Sequence, residues 1–150
     1  MEYNLKDIIS LHKTGLYFSP FLEGEEYELE KAAQDYNLKT IAVDMKNVTR
    51  KQTFLSKMAE ELKFPDYFGN NWDALFESLT DLSWLKAPGY LIMIKNMKTF
   101  EKQSSNHLLA IKRIFEAVTN YWESRQVPFI IILSGINPEL NASSHKGKLQ

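Results

Sequence analysis

The stretch Phe129-Ile130-Ile131-Ile132-Leu133, apolar at every position, decides the class of fold. A strand with one wet face alternates apolar and polar residues. An unbroken run rich in β-branched residues suits a strand buried on both faces of a parallel sheet. Tyr90-Leu91-Ile92-Met93-Ile94 repeats the pattern, and Ile41-Ala42-Val43-Asp44-Met45 is a weaker version of it. Leu16-Tyr17-Phe18, stopped by Pro20, is the faintest of four strand candidates.

Helical spacing fills the intervals between these strands. Residues 25–36 set Leu29, Ala32, Ala33 and Tyr36 on one stripe. Residues 49–62 open with the capping-box spacing Thr49-x-x-Gln52 and carry Phe54, Leu55, Met58 and Leu62 at helical intervals, ending at Phe64-Pro65. A second helix is predicted over 71–82. The longest is predicted from 105 to about 125, with Leu108, Ile111, Phe115, Val118 and Trp122 three and four apart. Alternating strands and helices predict an α/β fold, a small parallel or mostly parallel sheet of three to four strands packed with α-helices. Residues 1–39 read as an N-terminal extension of a short strand plus a helix packed on the core. Residues 40–136 read as the main domain, and 137–150 as a polar tail expected to fray.

The chain has 150 residues, 44% hydrophobic and 25% charged, enough for one packed domain and unlike a disordered segment. Cysteine is absent, which removes disulfides and thiolate chemistry. No run approaches the roughly 20 apolar residues of a membrane span, and no secretion signal is visible, so a soluble cytoplasmic protein is expected. Eighteen Lys and Arg against 19 Asp and Glu leave a net charge of −1, which excludes a generally basic nucleic-acid binder.

Enzyme motifs are missing. The strand ends Met45-Lys46-Asn47, Ile94-Lys95-Asn96 and Ser134-Gly135 match no glycine-rich phosphate or dinucleotide loop. Ser134 lacks the preceding glycine of a nucleophile elbow. His12, His107 and His145 are far apart, without acidic neighbours at metal-ligand spacing, and read as surface histidines. No catalytic residue, metal site or cofactor is expected.

The unusual segment is Phe64-Pro65-Asp66-Tyr67-Phe68-Gly69-Asn70-Asn71-Trp72-Asp73-Ala74-Leu75-Phe76-Glu77-Ser78-Leu79-Thr80-Asp81-Leu82. Between residues 60 and 85 stand six acids and one base, a net −5 in 26 residues, which leaves +4 on the other 124. At about 100° per residue, Asp73, Glu77 and Thr80 fall within about 60° of one another, opposite Leu75, Leu79 and Leu82, with Phe76 at the boundary. Asn71 is a good N-cap, and an acid in the first turn suits the helix dipole, so an isolated helix could carry these residues on a plain solvated face. The aromatic loop just before that face is what such a helix would not need. Aromatics and carboxylates on a preformed helix suit a binding surface for a basic protein.

At these residues the chain resembles the barstar family, intracellular inhibitors of small basic secreted ribonucleases of the barnase type. The resemblance rests on Leu62-x-Phe64-Pro65-Asp66-Tyr67-Phe68-Gly69-x-Asn71-x-Asp73-Ala74-Leu75, with Leu79-Thr80, and covers roughly residues 40–135. It implies a barstar-like fold and an inhibitor that plugs a ribonuclease active site, its carboxylates taking the place of RNA phosphates. Tyr67, Gly69, Asn71, Asp73 and Thr80 match the family's inhibitory surface directly. Phe68, Phe76 and Glu77 stand where its best-known inhibitor has a tyrosine, a tryptophan and an aspartate, so two ring donors are lost and one carboxylate reaches about one methylene further. The expected partner is a basic extracellular-type ribonuclease or related nuclease toxin, with no direct contact to nucleic acid or membrane; a monomer is expected. An immunity or interaction module of the same fold for another partner is the alternative, and a nucleotide-dependent or hydrolytic enzyme the remote one.

Overall fold

The computed structural model describes residues 4–20, 24–66 and 68–136. Its elements run α1 (Leu5–Ser10), β1 (Gly15–Ser19), α2 (Glu26–Asp35), β2 (Lys39–Asp44), α3 (Lys51–Leu62), α4 (Trp72–Leu79), β3 (Tyr90–Lys95), α5 (Lys98–Gln103), a 3-10 turn (Ser105–His107), α6 (Leu108–Ser124) and β4 (Phe129–Ser134). The four strands form one sheet in the order β1-β4-β3-β2, every pair parallel. The fold is α/β, as the apolar runs predict.

The register explains why those runs lack polar positions. Leu91 lies beside Ile130 and Ile92 beside Ile131, and successive side chains leave a strand on opposite faces. Leu16, Phe18, Ile41, Val43, Ile92, Ile94, Ile131 and Leu133 join the larger core, with Phe54, Leu55, Met58, Leu75, Leu79 and Phe115 from α3, α4 and α6. Leu91, Met93, Ile130 and Ile132 face the other way, onto Leu5, Ile8, Ile9, Leu29 and Ala33 of α1 and α2. Both faces are therefore covered. The N-terminal elements supply the edge strand β1 and one of the two helical layers.

Several local expectations change. Helices α1 and α5 are six residues each, too short to show a period; Asn4 caps the first, accepting from Lys6 N–H at 2.9 Å. Tyr36 lies past the end of α2, 43% exposed and edge-on to His12 at 6.0 Å, instead of on the buried stripe. The Thr49-x-x-Gln52 box does not form. Helix α3 starts at Lys51 behind an extended Arg50 with no side-chain cap. Helix α4 ends at Leu79, three residues short of expectation, because Leu82 adopts φ 50° and turns the chain away while staying buried. The first turn of the predicted 105–125 helix is 3-10. The tail, 137–150, lies outside the described residues. Among those described, no helix is long and apolar enough to cross a membrane.

Candidate functional site

Helix α4 is built to hold one face in water. Asn71, extended at φ −142°, accepts the Ala74 N–H on Oδ1 at 2.8 Å and so caps the helix. A Cβ on Gly69 would come within 3.3 Å of that Asn71 amide, so the glycine leaves the cap room. Leu75 and Leu79 are fully buried, each contributing about 1.5–3 kcal/mol of apolar transfer. They pin α4 against α6 and into the larger core. Asp73 and Glu77, one turn apart, point outward and are exposed, and among the described residues no cation of the chain pairs with either. Asp66 and Asp81 are exposed as well.

The flanking loop is fastened rather than loose. Lys63 ends α3 in the left-handed region at φ 56°, and Phe64 N–H donates to Ala59 O at 2.9 Å. The Phe64 ring packs on Phe68 at 4.9 Å and edge-on to Trp84 at 6.0 Å. Trp84 Nε1 in turn donates to Leu62 O at 2.9 Å. Phe68 N–H closes a turn onto Pro65 O at 3.0 Å. Asn70, at φ 57°, donates from Nδ2 to Gln52 Oε1 at 2.7 Å, so the glutamine expected to cap α3 steadies the loop instead.

The expected site residues separate into groups. Gly69, Asn71, Asp73 and Glu77 lie together on the surface. Phe68 and Phe76 are half-buried against the core, not projecting aromatics. Thr80 is half-buried at the end of α4, its hydroxyl donating to Phe76 O at 2.8 Å and so engaged by the helix end. Tyr67 falls outside the described residues.

Sequence reasoning missed the support around Trp72. Its ring meets Phe54 at 6.1 Å and His107 at 5.9 Å, and Lys51 Nζ sits 5.0 Å from its centroid. His107 is thus a half-buried packing residue and not a free surface histidine. The signal was present in the helical wheel, where Trp72 borders the leucine stripe. Among the described residues no group of three His, Asp or Glu could hold a metal ion. What the arrangement offers is two carboxylates on a rigid helix with a clamped loop beside them.

A family model described as Barstar (barnase inhibitor) matches residues 38–134, from the start of β2 to the end of β4, and includes the whole of this surface. Elements α1, β1 and α2 lie outside the match. The fold is similar to the solved structure of the Aeropyrum pernix ORC2 protein in ADPNP and ADP complexes, with a TM-score of 0.57 and 16% identity. That alignment covers 97% of this chain and 42% of the other, and the likeness is one of fold alone. No curated protein matches the chain in sequence.

Proposed function

The chain belongs to the barstar (barnase inhibitor) family, and from that premise we propose that it binds and blocks the active site of a small basic ribonuclease. The observation that carries this reading is the pair Asp73 and Glu77, exposed a turn apart on a capped helix and unmatched by any cation of the described chain. Unpaired carboxylates on a rigid face attract a cationic cleft and speed the encounter. The helix is capped and Phe64, Phe68 and Asn70 are fastened beside it, so little conformational entropy is lost at these residues on binding. Desolvating the carboxylates is offset only where the partner supplies matched donors, which makes the choice of partner strict.

In this reading residues 40–136 are the inhibitory domain, residues 1–39 an extension that completes the sheet, and Tyr67 with Gly69 and Asn71 the loop contacts beside the acidic face. The chain would act in the cytoplasm as an antitoxin, with no chemistry of its own. The remote alternative is a nucleotide-dependent or hydrolytic enzyme. No feature of this chain favours it, since no strand end in the sequence carries a glycine-rich phosphate cradle.

The test is an inhibition panel of small basic ribonucleases, barnase among them, at low and high salt. The expected result is inhibition of at least one enzyme, weakening as salt rises. Absence of inhibition across the panel would transfer the surface to a different kind of partner.

A further inference from the structure

The positive charge that balances the acidic segment is gathered as well. Residues 45–59 carry Lys46, Arg50, Lys51 and Lys57 and no acid, and residues 95–107 carry Lys95, Lys98 and Lys102 against Glu101. These segments hold +4 and +2, together +6 in 28 residues of a chain whose net charge is −1. The fold brings both to one end of the sheet. The first leads from the carboxyl end of β2 into α3, the second from the carboxyl end of β3 through α5, and β2 and β3 are parallel neighbours. Met45 N–H donates to Lys95 O at 2.8 Å, and Asn96 Nδ2 donates to Asp44 Oδ1 at 2.7 Å. Further out, Ser104 Oγ donates to Thr49 O at 2.5 Å, and the Phe54 and Phe100 rings pack at 5.3 Å. Phe100 is buried, so Lys98 and Lys102, within about 40° of each other and opposite it on α5, face outward.

Lys46, Arg50, Lys98 and Lys102 are exposed and Lys51 is half-buried. Among the described residues no carboxylate lies within ion-pair distance of any of the five. Lys95 is already paired with Glu26 at 3.0 Å, and Asp44 is engaged by the Asn96 amide and the Lys46 N–H. Like charges gathered in this way cost the fold stability, and a polyanion relieves that cost. The apolar side chains of the two connections, Met45, Val48, Met97 and Phe100, are buried. The surface therefore lacks the apolar anchors of a protein interface and the apolar face that enters a membrane. Between its cations stand the exposed amides of Asn47, Asn96 and Gln103. Cations interleaved with neutral hydrogen-bonding groups suit phosphate and sugar oxygens.

We propose that this basic end of the sheet binds a nucleic acid strand through its phosphate backbone, without regard to base sequence. The expectation of no nucleic-acid contact follows from the balanced total charge, and the separation of charge within the fold removes its basis. The proposal stands apart from the reading of the acidic face, whose carboxylates repel the same strand.

The test is fluorescence anisotropy of a labelled RNA strand of about 12 nucleotides with the full chain, beside a scrambled RNA and a DNA strand of the first sequence. The expected result is micromolar binding at about 50 mM salt, similar for the three strands. Affinity should fall with salt at a logarithmic slope of about −3.5, the value for about five neutralised phosphates. Arg50→Glu combined with Lys102→Glu should weaken binding at least about tenfold. Both side chains are exposed, so this variant should melt with the wild type. Asp73→Ala combined with Glu77→Ala should bind RNA as tightly as the wild type or more so, which separates this surface from the one proposed for the ribonuclease. No binding at about 50 mM salt, or binding that the Arg50→Glu and Lys102→Glu pair leaves unchanged, overturns the proposal. Displacement of the RNA by an equal concentration of poly-glutamate of the same charge assigns the surface to an acidic protein and overturns it too.

Discussion

The indole N–H of Trp122 donates to the backbone carbonyl of Leu79 at 2.9 Å, joining the end of the longest helix to the end of the acidic one. Leu79 is the last residue of α4, so the bond satisfies a carbonyl that the helix itself leaves free. The same indole stacks on Phe129 of β4 at 5.6 Å, which links α4, α6 and the sheet through one side chain.

Replacing Trp122 by Phe keeps a ring in the stack and removes the donor. The expected cost is about 1–2 kcal/mol of stability, read as a lower urea midpoint. An unchanged midpoint would mean that water serves the Leu79 carbonyl equally well.

Asp73→Ala combined with Glu77→Ala should abolish ribonuclease inhibition and leave the thermal midpoint within about 2 °C of wild type, because surface substitutions away from partners cost little. A collapse in the midpoint would make the two acids structural and remove the main support for the proposed function.

Asn71→Ala deletes the α4 cap and should destabilise by about 1 kcal/mol, whereas Asn71→Asp or Asn71→Ser should restore most of the loss. Denaturant titration of the three variants checks the order.

Asp44 is held below its ordinary carboxylate range, first by the Asn96 side chain donating at 2.7 Å, with help from the Lys46 N–H at 2.9 Å and the charges of Lys95 and Lys46, against an upward push from burial. A carboxyl lowered on folding adds stability above its unfolded pKa of about 3.9 and loses it as pH falls through the folded value. Asp44→Asn should therefore reduce the acid dependence of stability below about pH 4, with a small amplitude because the group is exposed. Melting curves from about pH 2 to 5 measure the difference between the two limbs.

Gly135 sits at φ 90°, and a Cβ there would come 3.0 Å from Met97 N. Gly135→Ala should destabilise by about 1–3 kcal/mol, since both the backbone angle and the close approach resist a side chain. A melting point equal to wild type would show that the β4 end relaxes freely.

The sheet was legible because Tyr90 to Ile94 and Phe129 to Leu133 bury both faces, so their composition reports their environment directly. The exposure of Asp73 and Glu77 was legible for a related reason: the positions of Leu75 and Leu79 fix the opposite side of the helix. The end of α4 was not, because Leu82 keeps the apolar spacing and is carried to the core by a left-handed turn. Nor could the burial of Phe68 and His107 be read locally. Trp84 lies 20 residues from Phe64 and His107 lies 35 from Trp72, and only the folded chain brings these rings together. The capping box failed for the opposite reason: a valid local pattern lost Gln52 to a partner 18 residues away.

The pairing of β1 with β4 sets Gly15 beside Ile130, and Thr14 Oγ1 accepts the Phe129 N–H across 115 residues of sequence. Closing so long a loop must precede any gain from the contacts it brings, which slows the search for the native state. During synthesis the acidic helix emerges well before β4 exists. Among the described strands, the one beneath α6 that completes the sheet is made last, so the carboxylate face acquires its rigid platform only when β1 and β4 meet.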